Sequence, residues 1–297
     1  MELFQKGDVV EGCRILAELG RGAASVIYLA QDEKTKHVWA LKDVQKINDK
    51  SVRFMDQAES EYQISQKLDH PAIRGIERMI KKKKGLLQVT RLYLLMEHVD
   101  GVSLDRHMPK TFEAACSVFM QAASAMSHMH DKGFVHADFK PNNVIVDDKG
   151  VAKIIDLGQS CPVGTIKKRI QGTPDYIAPE QVHRRAITPK TDVYNLGASM
   201  YFVLTRKKVP TAMAAENSLM GSIDDSLLKP PPPAIEVNPR IPPKLADLIM
   251  DCLRVKPEDR PEMPDVVGRL ELIQAMLKAG VKDKNSDNSG QRPSVKS

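Results

Sequence analysis

Two hydrophobic periods share this chain, and they change over near residue 100. Before it, "CRILAELG", "SVIYLAQ", "VWALKDV" and "GLLQVTRLYLLMEHV" are short apolar or alternating runs separated by Gly, Asp and Lys turns, the signature of strands. One helix interrupts them: "RFMDQAESEYQISQKL" sets Phe54, Ala58, Tyr62 (or Ile64) and Leu68 at helical intervals, and Asp69-His70-Pro71 stops it. After Asp100-Gly101 the spacing turns helical, over 111–131, 190–205, 243–253 and 262–279. The Pro-rich "KPPPPAIEVNPRIPP" cannot continue a helix. From Gly280 onward there is little to bury, and a disordered tail is expected over 280–297. The 297 residues suit one large domain or two lobes, β-rich and then α-rich.

Composition narrows the classes of partner. The net charge of +6 favours acidic partners such as nucleotides, nucleic acid or anionic membrane. The excess lies in short clusters, Lys81 to Lys84, Lys167-Lys168-Arg169, Arg184-Arg185 and Arg206-Lys207-Lys208, each expected as a solvated loop. No aromatic stacking pattern supports nucleic-acid binding. The four cysteines are widely spaced and form no CxxC pair, which points away from disulfides and zinc and toward a reducing, cytoplasmic compartment. "MELFQKGDVVEGC" does not read as a signal peptide, and no run reaches the ~18 apolar residues of a membrane span. His128 and His130 lie two apart on an expected helix and so do not share a face. They and His136 are expected to pack or face solvent, the Met-rich "FMQAASAMSHMH" to fill the core, and Cys161 to be an ordinary thiol rather than a redox switch.

Three segments carry chemistry. "LGRGAASVIYLA" holds Gly20-Arg21-Gly22 and then a strand-like run, so its glycines mark a hairpin tip where backbone N–H groups can approach phosphates, not a Rossmann turn. "VWALKDV" puts Lys42 among apolar neighbours, where an ammonium needs a carboxylate. Glu61 or Glu59, inside the following helix, could supply it. "HADFKPNNVIVDD" and then "KIIDLG" crowd carboxylates, amides and an ammonium between apolar runs. "VIVDDKGVAKII" reads as a hairpin that can bring its two ends, Asn143 and Asp156, together.

In this order, with "GTPDYIAPE" and "TDVYNLG" following, the segments resemble the protein kinases over roughly residues 11–275. Lys140-Pro141 is similar to the Ser/Thr-directed form of the catalytic loop, and the glycine loop with Ser25 resembles that of short bacterial members. The resemblance implies an α+β, bilobal fold, with a small β-rich N-lobe carrying one key helix and a larger α-helical C-lobe. Its divisions would be an N-terminal extension over 1–10, N-lobe over 11–98 and C-lobe over 99–279. The implied activity is transfer of the ATP γ-phosphate to protein Ser or Thr hydroxyls, with Mg²⁺.

By the same resemblance, Asp138 accepts the acceptor's proton, Lys140 offsets charge on the transferring phosphate, and Asn143 and Asp156 bind Mg²⁺. Lys42 contacts the α/β-phosphates and pairs with Glu61. Gly20, Arg21 and Gly22 cover the phosphates. Ile27, Ala40 and Ile145 sandwich the base, Met96 is the gatekeeper, and Glu97 to Val99 form the adenine-binding hinge. Thr173 bridges Asp138 and Lys140, Glu180 pairs with Arg260, and Asp192 holds the catalytic loop from below.

The chain also departs from the family. Ala137 replaces the Arg that would bind an activation-loop phosphate, so activity is expected not to depend strongly on phosphorylation of Ser160 or Thr165. Leu157 stands for the usual Phe, Ala24 and Ser25 alter the glycine loop, and Ser65 falls at a usually apolar helix position that Ile64 could cover. A scaffold without turnover would be favoured by loss of Lys42, Asp138, Asn143 or Asp156, yet all four are present. A small-molecule phosphotransferase is disfavoured by "GTPDYIAPE", which resembles a peptide-docking segment.

Overall fold

The structure is a computed structural model that describes residues 2–48, 51–84, 88–210 and 230–280. The strand-patterned part forms one antiparallel sheet from β1 (Val9–Val10), β2 (Cys13–Arg21), β3 (Ser25–Asp32), β4 (Val38–Gln45), β5 (Ile76–Lys84) and β6 (Gln88–Glu97). The strand order is β1-β2-β3-β4-β6-β5. Alternation sends Val26, Tyr28, Ala30, Leu41, Tyr93 and Leu95 into one apolar cluster and Ala40, Val44, Leu92, Leu94 and Met96 into another. Both faces are therefore covered, which explains why β6 reads as almost continuously apolar. Residues 2–10 run along this sheet: Phe4 lies 5.7 Å from the Tyr28 ring, the Arg91 guanidinium stacks 4.3 Å above Phe4, and Gln45 Nε2 donates to Glu2 O at 2.6 Å.

The other apolar cluster is closed by α1 (Val52–Ser65). Its buried residues are Met55, Ala58, Glu61, Ile64 and Ser65; of the expected stripe, Ala58 and the alternative Ile64 are buried, while Phe54, Tyr62 and Leu68 are half-buried and pack against the core. Glu61 joins the buried face through its ion pair with Lys42, which hydrophobic spacing cannot reveal. A correction concerns Lys81 to Lys84, which lie in strand β5 rather than a loop. Lys81 pairs with Glu59 at 2.7 Å and Lys82 with Glu11 at 2.6 Å.

The second lobe is built on α2 (Phe112–Asp131), α3 (Pro179–Val182), α4 (Pro189–Thr205), α5 (Ala234–Val237), α6 (Pro243–Cys252) and α7 (Met263–Lys278). Thr111 caps α2 by accepting from Ala114 N at 3.1 Å. Met126 and Met129 lie in the core as the sequence suggested. Nearly every residue of α4 is buried, making it the lobe's central post. At Gly197 a Cβ would stand 2.6 Å from Cys252 Cβ, so α4 and α6 approach too closely for a side chain there. The Pro-rich stretch contains the single turn α5, and Tyr201 donates its hydroxyl to Pro232 O at 3.1 Å.

Short strands carry the polar loops between the lobes. β9 (Val144–Val146) and β10 (Ala152–Ile154) form the expected antiparallel hairpin, extended by β7 (Val102–Ser103), while β8 (Phe134–Val135) pairs β11 (Cys161–Pro162). A parallel bridge from Ile73 to Ile154 ties the segment after α1 to this hairpin. Among the described residues no helix is long and apolar enough to cross a membrane. Of the tail expected over 280–297, residues 281–297 lie outside the described residues.

Candidate active site

The hairpin tip between β2 and β3 carries Gly20, Arg21 and Gly22. Gly22 N donates to Ser25 O at 2.7 Å, and a Cβ on Gly22 would stand 2.9 Å from Ser25 Oγ. The tight tip therefore favours glycine at 22. The Arg21 side chain is held by Glu18 at 2.8 Å on the exposed face, leaving its backbone as the part available to a phosphate.

Below the tip, β4 presents Lys42. Its Nζ lies 2.6 Å from Glu61 Oε2, and the Glu61 side chain is 1% exposed. Of the two carboxylates left open by the sequence, Glu61 is thus the partner; Glu59 faces Lys81. Desolvation disfavours the Lys42 ammonium, but Glu61 and Asp156 outweigh it and hold the group above its ordinary value. Desolvation likewise raises the Asp156 carboxyl, and Lys42 together with the Gly158 N–H, which donates to Oδ1 at 2.9 Å, brings it below the ordinary value.

Ile27 packs against the cluster holding Ala40 and Met96, and strand pairing sets Ala40 opposite Met96. Ile145 lies on β9, paired with Ser103. Gly101, at φ 149, makes this approach possible: a Cβ would stand 2.5 Å from Val146 O and 2.8 Å from Ile145 Cγ2. Glu97 and Val99 mark the crossing between lobes. The Glu97 side chain is turned to Lys153 at 2.5 Å and to Gly75 N at 3.2 Å, so it too offers its backbone to a ligand.

The catalytic-loop residues are drawn together by the buried Asp192. Its Oδ1 accepts from Ala137 N and its Oδ2 from His136 N and His130 Nε2, each at 2.8 Å. Ala137 has φ 62, an uncommon conformation for alanine, and it is fixed from its other side by Gln181 Nε2 donating to its carbonyl at 2.7 Å. This bend leads to Asp138. Thr173 Oγ1 donates to Asp138 Oδ1 at 2.9 Å and accepts from Lys140 Nζ at 2.8 Å, while Lys140 Nζ lies 2.9 Å from Asp138 Oδ2. The three side chains form a closed triangle. Asn143 Nδ2 donates to Asp138 O at 3.2 Å, and Ile155 N donates to Asn143 O at 2.9 Å, so the hairpin brings the Asn143 and Asp156 segments side by side.

The scaffold beneath the site follows the sequence reading. Arg260 donates to both oxygens of Glu180, at 2.8 and 3.0 Å. His128 Nε2 accepts from Asp69 N, His130 serves Asp192, and His136 packs edge-on to Phe139 at 6.0 Å. Among the described residues no three His, Cys, Asp or Glu side chains gather to hold a metal ion. All four cysteines are buried, and burial pushes the Cys161 thiol up. Ser65 spends its hydroxyl on Tyr62 O at 2.8 Å, while Ile64 joins the large core cluster with Leu157.

Arg74 was missed. It is 8% exposed, and Arg74 N donates to Ile154 O at 2.9 Å, at the end of β10 and two residues before Asp156. Desolvation holds its guanidinium below the ordinary value although Glu61, Asp156 and Glu97 pull the other way. Two cations, Lys42 and the buried Arg74, thus accompany two anions, the buried Glu61 and Asp156, behind the cleft. An Arg after the apolar "HPAI" carries no local sequence signal of this.

The chemistry of the donor set suits Mg²⁺. One carboxylate held ionised and one carboxamide offer hard oxygens and leave most coordination positions to water and phosphate, as that ion prefers.

Comparison with known proteins agrees with this geometry. The family model described as "Protein kinase domain" matches residues 13–269. The chain is 32% identical over 260 residues to "Sperm motility kinase 2B" of Mus musculus, an alignment covering 85% of this chain and 50% of that protein. It is 29% identical to "Aurora kinase" of Schizosaccharomyces pombe, covering 84% and 68%. To "Serine/threonine-protein kinase pkn3" of Myxococcus xanthus it is 26% identical, covering 96% and 52%. The chain spans about half the length of several of these curated relatives.

Proposed function

The chain belongs to the protein kinase family, and from that premise we propose that it transfers the γ-phosphate of ATP, with Mg²⁺, to Ser or Thr hydroxyls of a protein substrate. The observation that carries this reading is the closed triangle of Asp138, Lys140 and Thr173. It presents a carboxylate and an ammonium to one point, where an acceptor hydroxyl and a transferring phosphate would meet.

When bound, ATP supplies the phosphoryl group and Mg²⁺ neutralises its oxygens. Asn143 and Asp156 would hold the metal through their side-chain oxygens. Lys42, braced by Glu61, anchors the α/β-phosphates, and the backbone of Gly20 to Gly22 closes over them. The backbone from Glu97 to Val99 receives the adenine, with Ile27, Ala40 and Ile145 about its faces and Met96 behind. Asp138 orients the acceptor hydroxyl and takes its proton as the new O–P bond forms and the bond to the leaving ADP oxygen breaks. Lys140 offsets the charge that develops. The nucleotide lobe runs over 11–98 and the substrate lobe over 99–279.

The test is incubation of the purified protein with labelled ATP and Mg²⁺, with and without substrate proteins, beside Asp138→Asn. Label on Ser or Thr that vanishes in the variant is expected. Stabilisation by ATP without transfer to any protein would overturn catalysis.

A further inference from the structure

The basic run after the metal-binding segment is fixed beside the cleft at both ends. Ile187 N donates to Thr165 O at 2.9 Å, and Gly164 N donates to Ile187 O at 2.8 Å. At the other end Gln181 Nε2 donates to Gln171 O at 3.3 Å, two residues before Thr173 enters the catalytic triangle. Residues 165–171 therefore lie alongside the 182–187 turn. Lys168, Arg169 and Arg184 are all exposed there, and none makes an ion pair with another described residue. Lys167 differs: its Nζ turns inward to Gln159 O at 2.7 Å. Some other exposed basic side chains are locally balanced, Lys81 by Glu59, Lys82 by Glu11 and Lys208 by Asp175. On either side of Lys168-Arg169 in the chain are two exposed apolar side chains, Ile166 at 66% and Ile170 at 40%.

We propose that this face selects acidic substrates: protein segments whose acceptor Ser or Thr is flanked within a few residues by Asp or Glu, interleaved with apolar residues. The inference rests on the kinase reading above. An acceptor hydroxyl must reach Asp138, and extended chain advances ~3.4 Å per residue. A substrate's neighbouring residues therefore pass over 165–171 and the 182–187 turn within about three or four positions of the acceptor. Carboxylates there meet Lys168, Arg169 and Arg184, whereas a basic segment meets like charge. The apolar residues meet Ile166 and Ile170, which solvent otherwise covers.

The test compares two synthetic peptides of equal length and identical acceptor Ser, one flanked by Glu and one by Lys, with the full chain and with K168E/R169E/R184E. The wild type is expected to favour the Glu peptide through KM, and the preference should shrink with added salt. Exposed pairs each contribute roughly 1.5- to 5-fold, so the three together should give roughly 3- to 100-fold. The triple variant should lose or invert that preference while its KM for ATP and its thermal stabilisation by ATP stay unchanged. Equal use of both peptides by the wild type, or an unaltered preference in the variant, overturns the inference and leaves the kinase reading standing. Transfer to neither peptide, nor to any protein, overturns both.

Discussion

Arg260 offers a quantitative test of how the large lobe is held. A guanidinium has five N–H donors, and here all five are used: Nε to Arg254 O at 2.7 Å, two bonds to Glu180 at 2.8 and 3.0 Å, and two more to Lys190 O and Val255 O at 2.8 Å. Neither partner of the ion pair reaches solvent, with side chains 0% and 3% exposed. Arg260→Met leaves the Glu180 carboxylate with the Thr191 hydroxyl, which donates to it at 2.9 Å. An unpaired buried charge costs about 3–5 kcal/mol, and each orphaned carbonyl adds about 1 kcal/mol. The expected loss is about 5 kcal/mol or more, against a total stability of about 5–15 kcal/mol. Arg260→Lys keeps the charge but has at most three donors, so about half that loss is expected. The double variant Glu180→Leu/Arg260→Met should be more stable than Arg260→Met alone, since no carboxylate is then stranded. Urea unfolding followed by far-UV circular dichroism reads these losses, because the single Trp, Trp39, reports the small lobe instead. A loss below about 1 kcal/mol in Arg260→Met, or additive damage in the double variant, would refute the reasoning.

Three further outcomes follow from the geometry. Lys42→Met should cut phosphoryl transfer by at least about 100-fold with the fold retained, measured by transfer kinetics beside circular dichroism; near-native rates would remove Lys42 from the mechanism. Ser160→Ala and Thr165→Ala should each stay within about 3-fold of wild type, because the pocket at Ala137 is lined by Val135, Cys161 and Ile187 and offers a loop phosphate no arginine; a drop of orders of magnitude contradicts this. A thiol reagent at pH 8 should label almost nothing in the native chain and all four cysteines after denaturation, since burial raises Cys13 and Cys161 and pushes Cys116 and Cys252 up to about 12. The thiolate fraction, and so the rate, should rise only as the pH climbs toward those raised values.

The sequence by itself determined most of what is local. The period change near residue 100, the helices expected over 111–131, 190–205, 243–253 and 262–279 and found within a residue of those bounds, and the hairpin bringing the Asn143 and Asp156 segments together all follow from spacing, because side-chain period is a property of a short segment. The order of its polar motifs carried the site. Tertiary structure decided whatever depended on two distant segments meeting. It chose Glu61 over Glu59, and so put a carboxylate on the buried face of α1. It placed Lys81 to Lys84 in a strand, where distant carboxylates balance Lys81 and Lys82. It buried Arg74 between charges that no spacing rule links to it. It also laid the 165–171 segment alongside the 182–187 turn, so that two basic stretches distant in sequence lie on neighbouring segments. Electrostatic partners act through space rather than along the chain, so charge pairing is the part of this protein that only the folded arrangement could fix.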